Sequence, residues 1–402
     1  MKKISTIIIL IIIALAFYPC MTVSAEKGNC FGYDFMADFV TNHPDRRAGS
    51  EGEKAAANYL ADYFRDSGLL PLLNNGSDND YLLKFYADNY HSQNVVGVKK
   101  SDNSNAKQII IGAHYDSMST TEKNGDGTYD NGSGIGAMAQ VIKEIKESSL
   151  DNDIVFIAFG GEEVGMLGSS YYVSEMSGNE KENTVLMINF DSIGCGDYLY
   201  LYTDEVKNSA EDYMFTTAED MGIAIRHIPE DRKATPFINT YSGLNYDYLM
   251  FYSDHAPFMK EKIDVAFFVG YNLEHRFLQP FESMEHSEIM HTDKDNLQNI
   301  LNTYGKERVN KRIDDTARLA QSYISDKDIA QIMAASKADK FNYRWFSAHN
   351  RITVTSFIVK GVIMAVLILI MMRIISNSKK FPEIHEGTDE KPKKYIFEDL
   401  EI

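Results

Sequence analysis

The chain has 402 residues, with 58 acidic against 40 basic side chains and a formal net charge of -18. That balance argues against nucleic acid as a partner, because phosphate backbones need basic patches. A hydrophobic share of 44% beside 24% charged residues fits a folded protein rather than a disordered one, and the length allows one large domain or two ordinary ones.

In chain order, the first element predicted is a secretory signal peptide over 1–25. Met1, Lys2 and Lys3 form a basic start, Ile7 to Phe17 an apolar run, and Val23-Ser24-Ala25 a small-residue cleavage site. Cys20 falls inside that segment. The remaining Cys30 and Cys195 are too few for a disulfide framework or a thiolate zinc site. Any metal must then be held by His, Asp and Glu.

A body follows over 26–325. Gly49 to Ser67 has helical spacing of Ala, Leu and Phe, and Gly68 is placed to stop it. Short apolar runs at Gln108 to Ala113, Ile154 to Phe159, Val185 to Phe190 and Val265 to Val269 each read as a buried strand. Helical patterns separate them, notably Gly136 to Ser148, and a late helix over Arg308 to Ile324 closes the body. Strands alternating with helices imply an α/β fold, a three-layer sandwich with a mostly parallel central sheet. A polar stalk is expected over 326–351, then a transmembrane helix over 352–375 and a tail over 376–402. Ile352 to Ile375 is apolar apart from a few Thr and Ser residues, Lys360 and Arg373, about the length a bilayer requires. Basic residues after the span favour a body outside the cell and a cytoplasmic tail.

The chemistry is expected where the strands end. The first strand runs into Gly112-Ala113-His114-Tyr115-Asp116-Ser117, the second into Gly160-Gly161-Glu162-Glu163, and the third into Phe190-Asp191. Ligands of open α/β sheets gather outside the carboxyl ends of the strands, so these residues share one rim. Asp130 arrives from the turn Asp130-Asn131-Gly132-Ser133-Gly134, and His291 after the fourth strand in His291-Thr292-Asp293-Lys294-Asp295. Taken singly, each piece is ordinary. Together they crowd carboxylates that would repel one another without a cation. Imidazole and carboxylate ligands without thiolate suit a catalytic zinc with an open position.

With those pieces in hand, the sequence resembles the co-catalytic zinc aminopeptidases, the metallopeptidase family of bacterial leucyl aminopeptidase, glutamate carboxypeptidase and the transferrin receptor. The likeness rests on GAHYDS, DNGSG, GEEVGMLGS, NFDSIG, SDH at Ser253 to His255 and HTDKD. It also takes in Arg47-Ala48-Gly49-Ser50 and Ser92 to Gly97. The resemblance implies a zinc exopeptidase-like fold with two zinc ions per chain. His114 and Asp191 would hold one ion, Glu163 and His291 the other, and Asp130 would bridge both. Glu162 would be the general base, and Asp116 would orient the His114 imidazole. Peptide or protein N-termini are the implied substrate. The family's peptide bond after the bridging Asp is commonly cis.

Two alternatives carry the same fold. Glutaminyl cyclases use a single zinc, and receptor-like ectodomains lose ligands; five filled ligand positions favour the peptidase. Gly132 to Ala137 superficially fits a dinucleotide fingerprint but follows no strand, and Asn124 to Ile135 lacks the twelfth-position Glu of a calcium loop. Tyr248 and Tyr252 are candidates to stabilise an oxyanion. Side-chain specificity, expected from loops such as Arg226 to Leu249, is not readable.

Overall fold

The computed structural model describes residues 30–72, 80–118, 125–203, 209–228, 253–271 and 289–336. Among them one sheet of nine strands runs through the centre. Its strands are β1 (Leu70–Pro71), β2 (Leu82–Ala87), β3 (Tyr90–Lys99), β4 (Gln108–His114), β5 (Asp153–Phe159), β6 (Thr184–Phe190), β7 (Tyr198–Thr203), β8 (Arg226–His227) and β9 (Val265–Tyr271). The order is β1-β3-β5-β4-β6-β9-β7-β8, with β2 also paired to β3.

The sheet is mixed, which corrects the mostly parallel sheet expected from the sequence. The β4–β5, β4–β6, β6–β9 and β7–β8 pairs are parallel, whereas β1–β3, β2–β3, β3–β5 and β7–β9 are antiparallel. The four strands visible as continuous apolar runs are β4, β5, β6 and β9, which pair in parallel with one another, whereas β3 and β7 are also buried on both faces yet join them antiparallel. The strands that flank them carry more polar and aromatic residues. The β2–β3 pair turns at Asp88 and Asn89, both with positive φ (45° and 68°), the tight geometry that forces an antiparallel hairpin.

Side chains alternate across the sheet, so each strand feeds both faces. Ile109 and Ile111 point to one apolar cluster, and Ile110 to another. The first cluster is completed by α1 (Phe31–Asn42), α2 (Glu51–Asp66), α3 (Ser133–Glu144) and α9 (Lys306–Ser325), through Phe39, Phe64, Ile142 and Ile313. The second is closed by α4 (Leu167–Glu175) and α7 (His255–Lys260), through Tyr172, Val173 and Phe258. Helices on both faces give the three layers.

Local signals explain the helix ends. The Ser50 hydroxyl accepts from the Glu53 N–H (3.1 Å) and caps α2, and Gly68 at φ +83° follows its end. Helix α3 begins three residues before the expected Gly136, because the turn that carries Asp130 leads directly into it.

Packing continues past residue 325: Ile329 and Met333 are buried in the first cluster, inside what was expected to be the stalk. Among the described residues no helix is long and apolar enough to cross a membrane. The expected signal peptide, the remainder of the stalk, the span 352–375 and the tail lie outside the described residues.

Candidate metal centre

Strands β5, β4 and β6 are adjacent and parallel, so their carboxyl ends meet at one rim. His114 is the last residue of β4, Asp191 follows β6 directly, and Glu162 and Glu163 stand in the turn after β5. Asp130 comes from the kinked loop before α3, and its peptide bond to Asn131 is cis. His291 precedes α8 (Leu297–Tyr304).

These residues converge. The His114 Nε2 atom lies 3.1 Å from Asp130 Oδ1 and 3.3 Å from Asp191 Oδ1. The His291 Nε2 atom lies 3.1 Å from Asp130 Oδ2 and 3.0 Å from Glu163 Oε2. Two groups able to hold a metal ion result, His114–Asp130–Asp191 and Asp130–Glu163–His291. Asp130 turns one oxygen to each. The donors are borderline to hard nitrogen and oxygen atoms without thiolate, a set that suits zinc. Glu163 Oε1 is also buried with no hydrogen-bond partner among the described residues, a lone pair that a cation would satisfy. The residues present therefore fit a metal.

A layer of buried groups fixes these ligands. Asp116, fully buried, accepts the Glu162 N–H on Oδ1 (3.1 Å) and the Glu163 N–H on Oδ2 (3.2 Å). The same Oδ1 lies 3.5 Å from His114 Nδ1. His114 Nδ1 lies closer still to the Asp116 backbone carbonyl (3.3 Å), so Asp116 sets the imidazole through its backbone and carboxylate together and the Glu-Glu turn through its carboxylate. Asn131 brackets Asp191: its amide donates to the Phe190 carbonyl (2.8 Å), and its Oδ1 accepts the Ser192 N–H (3.1 Å). Asp295 accepts the N–H groups of Tyr129 (2.7 Å) and Asp130 (3.1 Å), pinning Asp130 from behind.

The electrostatics are those of crowded carboxylates. Burial pushes the Glu162 carboxyl well above the usual range, with Asp254, Asp191 and Glu163 adding to it and His114 opposing. Burial and Asp130 lift Glu163 to about 7 against the pull of His291. Burial works to raise Asp130, but its hydrogen bonds to His114 and His291 hold it below the usual range. Burial would depress both imidazoles, yet their carboxylate partners outweigh it: His114 is raised, and His291 reaches about 11.

All seven residues expected at the site are brought together. Asp254 and Asp295 fall within SDH and HTDKD, but the sequence alone assigns neither a role. Asp254 is fully buried near His114, and burial pushes its carboxyl up to about 7. Both sit behind the ligands, where only the folded chain shows what they touch. Met118, Gly125 and Thr292 line the opening beside Asp130, Glu163 and His291. Tyr248, Tyr252 and most of the expected specificity loop lie outside the described residues.

Comparison with known proteins is consistent with this geometry. The chain is 32% identical over 216 residues to aminopeptidase YwaD of Bacillus subtilis strain 168, spanning 52% of this chain and 42% of that protein. It is 28% identical over 246 residues to the alkaline phosphatase isozyme conversion protein of Escherichia coli K12, covering 56% and 71% of the two chains. The fold matches that of BSAP, a zinc aminopeptidase from Bacillus subtilis, at a TM-score of 0.55, covering 74% of this chain and 95% of that one at 20% identity. Residues 94–315, more than half the chain, match the sequence pattern of peptidase family M28 and hold all seven site residues, so the chain belongs to that family.

Proposed function

We propose that this chain is a zinc-dependent metallo-exopeptidase, an aminopeptidase whose site takes two zinc ions. The observation that carries the reading is the pair of ligand groups sharing Asp130, with Glu162 beside the ligand Glu163. In this reading His114 and Asp191 hold one ion, Glu163 and His291 the other, and Asp130 stands between them. Zinc, when bound, supplies Lewis acidity that acidifies water and polarises a carbonyl.

The chain's own residues supply the rest. Glu162 takes a proton from the attacking water and delivers it to the leaving amine. Its carboxyl is raised by burial and by neighbouring carboxylates, the direction that strengthens a base. Asp116 holds His114 in orientation and fixes the turn on which Glu162 stands. The names borne by YwaD and BSAP support a substrate with a free N-terminal amine, and the carboxylate-rich site favours that cation.

Native mass spectrometry, run beside a panel of free and N-blocked fluorogenic peptides, tests this. Two zinc ions per chain with cleavage confined to free N-termini supports the reading. One ion with cyclisation of N-terminal glutamine would replace it with a glutaminyl cyclase. No ion and no turnover would leave a non-catalytic ectodomain.

A further inference from the structure

Two stretches that resemble the zinc aminopeptidases contribute no ligand to the metal centre, one around Arg47 to Ser50 and the other from Ser92 to Gly97. The first lies ahead of the family match at 94–315. We propose that the segment 43–53 is the floor of the metal centre, with Arg46 positioning His114 against Asp130 and Glu53 positioning the turn that carries Glu162 and Glu163. This rests on the two-zinc reading and adds positioning residues to it.

Arg46 is fully buried, and the hydrogen bonds of its guanidinium go to backbone carbonyls. Nε donates to Tyr115 O (2.6 Å), Nη1 to His43 O (2.8 Å) and Asp126 O (2.7 Å), and Nη2 to Gly127 O (3.0 Å). Tyr115 stands between His114 and Asp116. Asp126 and Gly127 begin the loop that reaches Asp130. One rigid fork thus ties the strand end that carries one imidazole to the loop that carries the shared carboxylate. The Arg46 carbonyl also accepts the Ser117 N–H (3.2 Å), closing the same tie through the backbone.

Burying a guanidinium is costly unless its donors are matched, and here they are. Burial depresses its pKa, and Asp126, Asp295, Asp116 and Asp130 act against that. The cation therefore belongs to the charge balance of the site without touching a ligand atom. Lysine offers a single nitrogen and cannot span four carbonyls in a plane.

Glu53 does the corresponding work on the other side. It is 1% exposed. Oε2 accepts the Gly49 N–H (2.6 Å) and Oε1 accepts the Ser92 hydroxyl (2.6 Å). Asn94 Oδ1 accepts the Gly160 N–H (3.2 Å). The N–H groups of Gly160, Glu162 and Glu163 therefore meet Asn94 and Asp116, while the Glu53 carboxylate packs against Gly160. The turn has no room to drift: a Cβ on Gly160 would lie 2.5 Å from Ser92 Oγ and 2.9 Å from Glu53 Oε1. The conformation that aims Glu162 and Glu163 is set from below by the head of α2 and the start of β3.

The test uses the full chain with Arg46→Met, Arg46→Lys, Glu53→Leu and Glu53→Gln. Each is stripped with a chelator, titrated with zinc by calorimetry, loaded with cobalt(II) for its absorption spectrum, and melted in the metal-free state. Loss of a group that orients ligands costs about 10- to 100-fold in metal affinity. Arg46→Met is expected to lose that much at the tighter zinc step and to shift the cobalt spectrum, with Arg46→Lys recovering part. Glu53→Leu is expected to weaken one zinc step and lower kcat at little change in KM, with Glu53→Gln recovering part through its one remaining acceptor. If a Met or Leu variant does not fold, its conservative partner is read against the wild type instead. Variants that melt lower but keep wild-type zinc affinity and cobalt spectrum overturn the inference, since a merely structural segment would behave so. A wild type that binds no zinc would instead sink the functional reading itself.

Discussion

At the scale of single residues, the proposed mechanism gives different roles to two neighbouring carboxylates. The N–H groups of Glu162 and Glu163 are both held by Asp116, so the turn is fixed and the side chains diverge from it. Glu163 meets His291 at 3.0 Å, within the second ligand group, while Glu162 is not in either group. Glu162→Gln keeps shape and hydrogen bonding but removes basicity, and is expected to cut kcat by about 10² to 10⁴ while zinc content stays at two per chain. Glu163→Gln is expected to lose zinc together with activity. Zinc stoichiometry beside turnover decides, and the opposite pattern would reverse the two assignments. The imidazoles make a further prediction. His291, at about 11, is protonated in the metal-free chain at neutral pH, and its carboxylate partners raise His114 as well. Zinc must displace such protons, so its binding should release protons and weaken as pH falls. Calorimetry in buffers of different ionisation enthalpy measures that release; uptake independent of pH would mean the imidazoles are not ligands.

At the scale of elements, the sheet fixes the rim and the turns aim the residues. The four central strands were legible in the sequence because each is a continuous apolar run, and their carboxyl ends then located His114, Glu162, Glu163 and Asp191. The flanking strands were not legible: Tyr90 to Lys99 begins with polar residues, and its Ser92, Gln93 and Asn94 are buried through bonds to distant partners. Helix α1 was missed although Phe31, Phe35 and Phe39 stand at helical spacing opposite exposed Asp34, Asp38 and Thr41. Its approach to α3 depends on two glycines. A Cβ on Gly136 would lie 2.5 Å from the Gly32 carbonyl oxygen and 3.0 Å from Met36 Cβ. Gly136→Val is therefore expected to cost about 1–3 kcal/mol by overpacking. Denaturant unfolding of the metal-free chain checks that figure, and an unchanged midpoint would show that the helices yield freely. The supporting groups Arg46, Asp254 and Asp295 escaped sequence reasoning for another reason: each acts through partners tens to hundreds of residues away, as Asp295 does on Tyr129 and Asp130.

At the scale of the whole molecule, we propose that the sequences of the two ends decide where the chemistry takes place. The body and its metal centre are separated from Ile352 to Ile375 by the residues after Met333, the last core hydrophobic of the described chain. A segment of that length and composition suffices to span a bilayer. Lys337, Lys340, Arg344 and Arg351 precede it, and Arg373, Lys379, Lys380, Lys391, Lys393 and Lys394 follow or close it. Basic residues near a span are retained on the cytoplasmic side, and the larger number lies after it. The apolar run from Ile7 to Phe17 with its small-residue site at Val23-Ser24-Ala25 would send the body across first. The expected arrangement is a single span, the metal centre outside and the tail inside. In intact cells, added protease should then degrade the body while an antibody to residues 391–402 still detects a short membrane-bound fragment. An alkaline carbonate wash should leave that fragment in the membrane, because a spanning helix is not released by removing electrostatic contacts. A body protected from outside protease, or a tail lost with it, would reverse the orientation. A chain released by carbonate would remove the span itself.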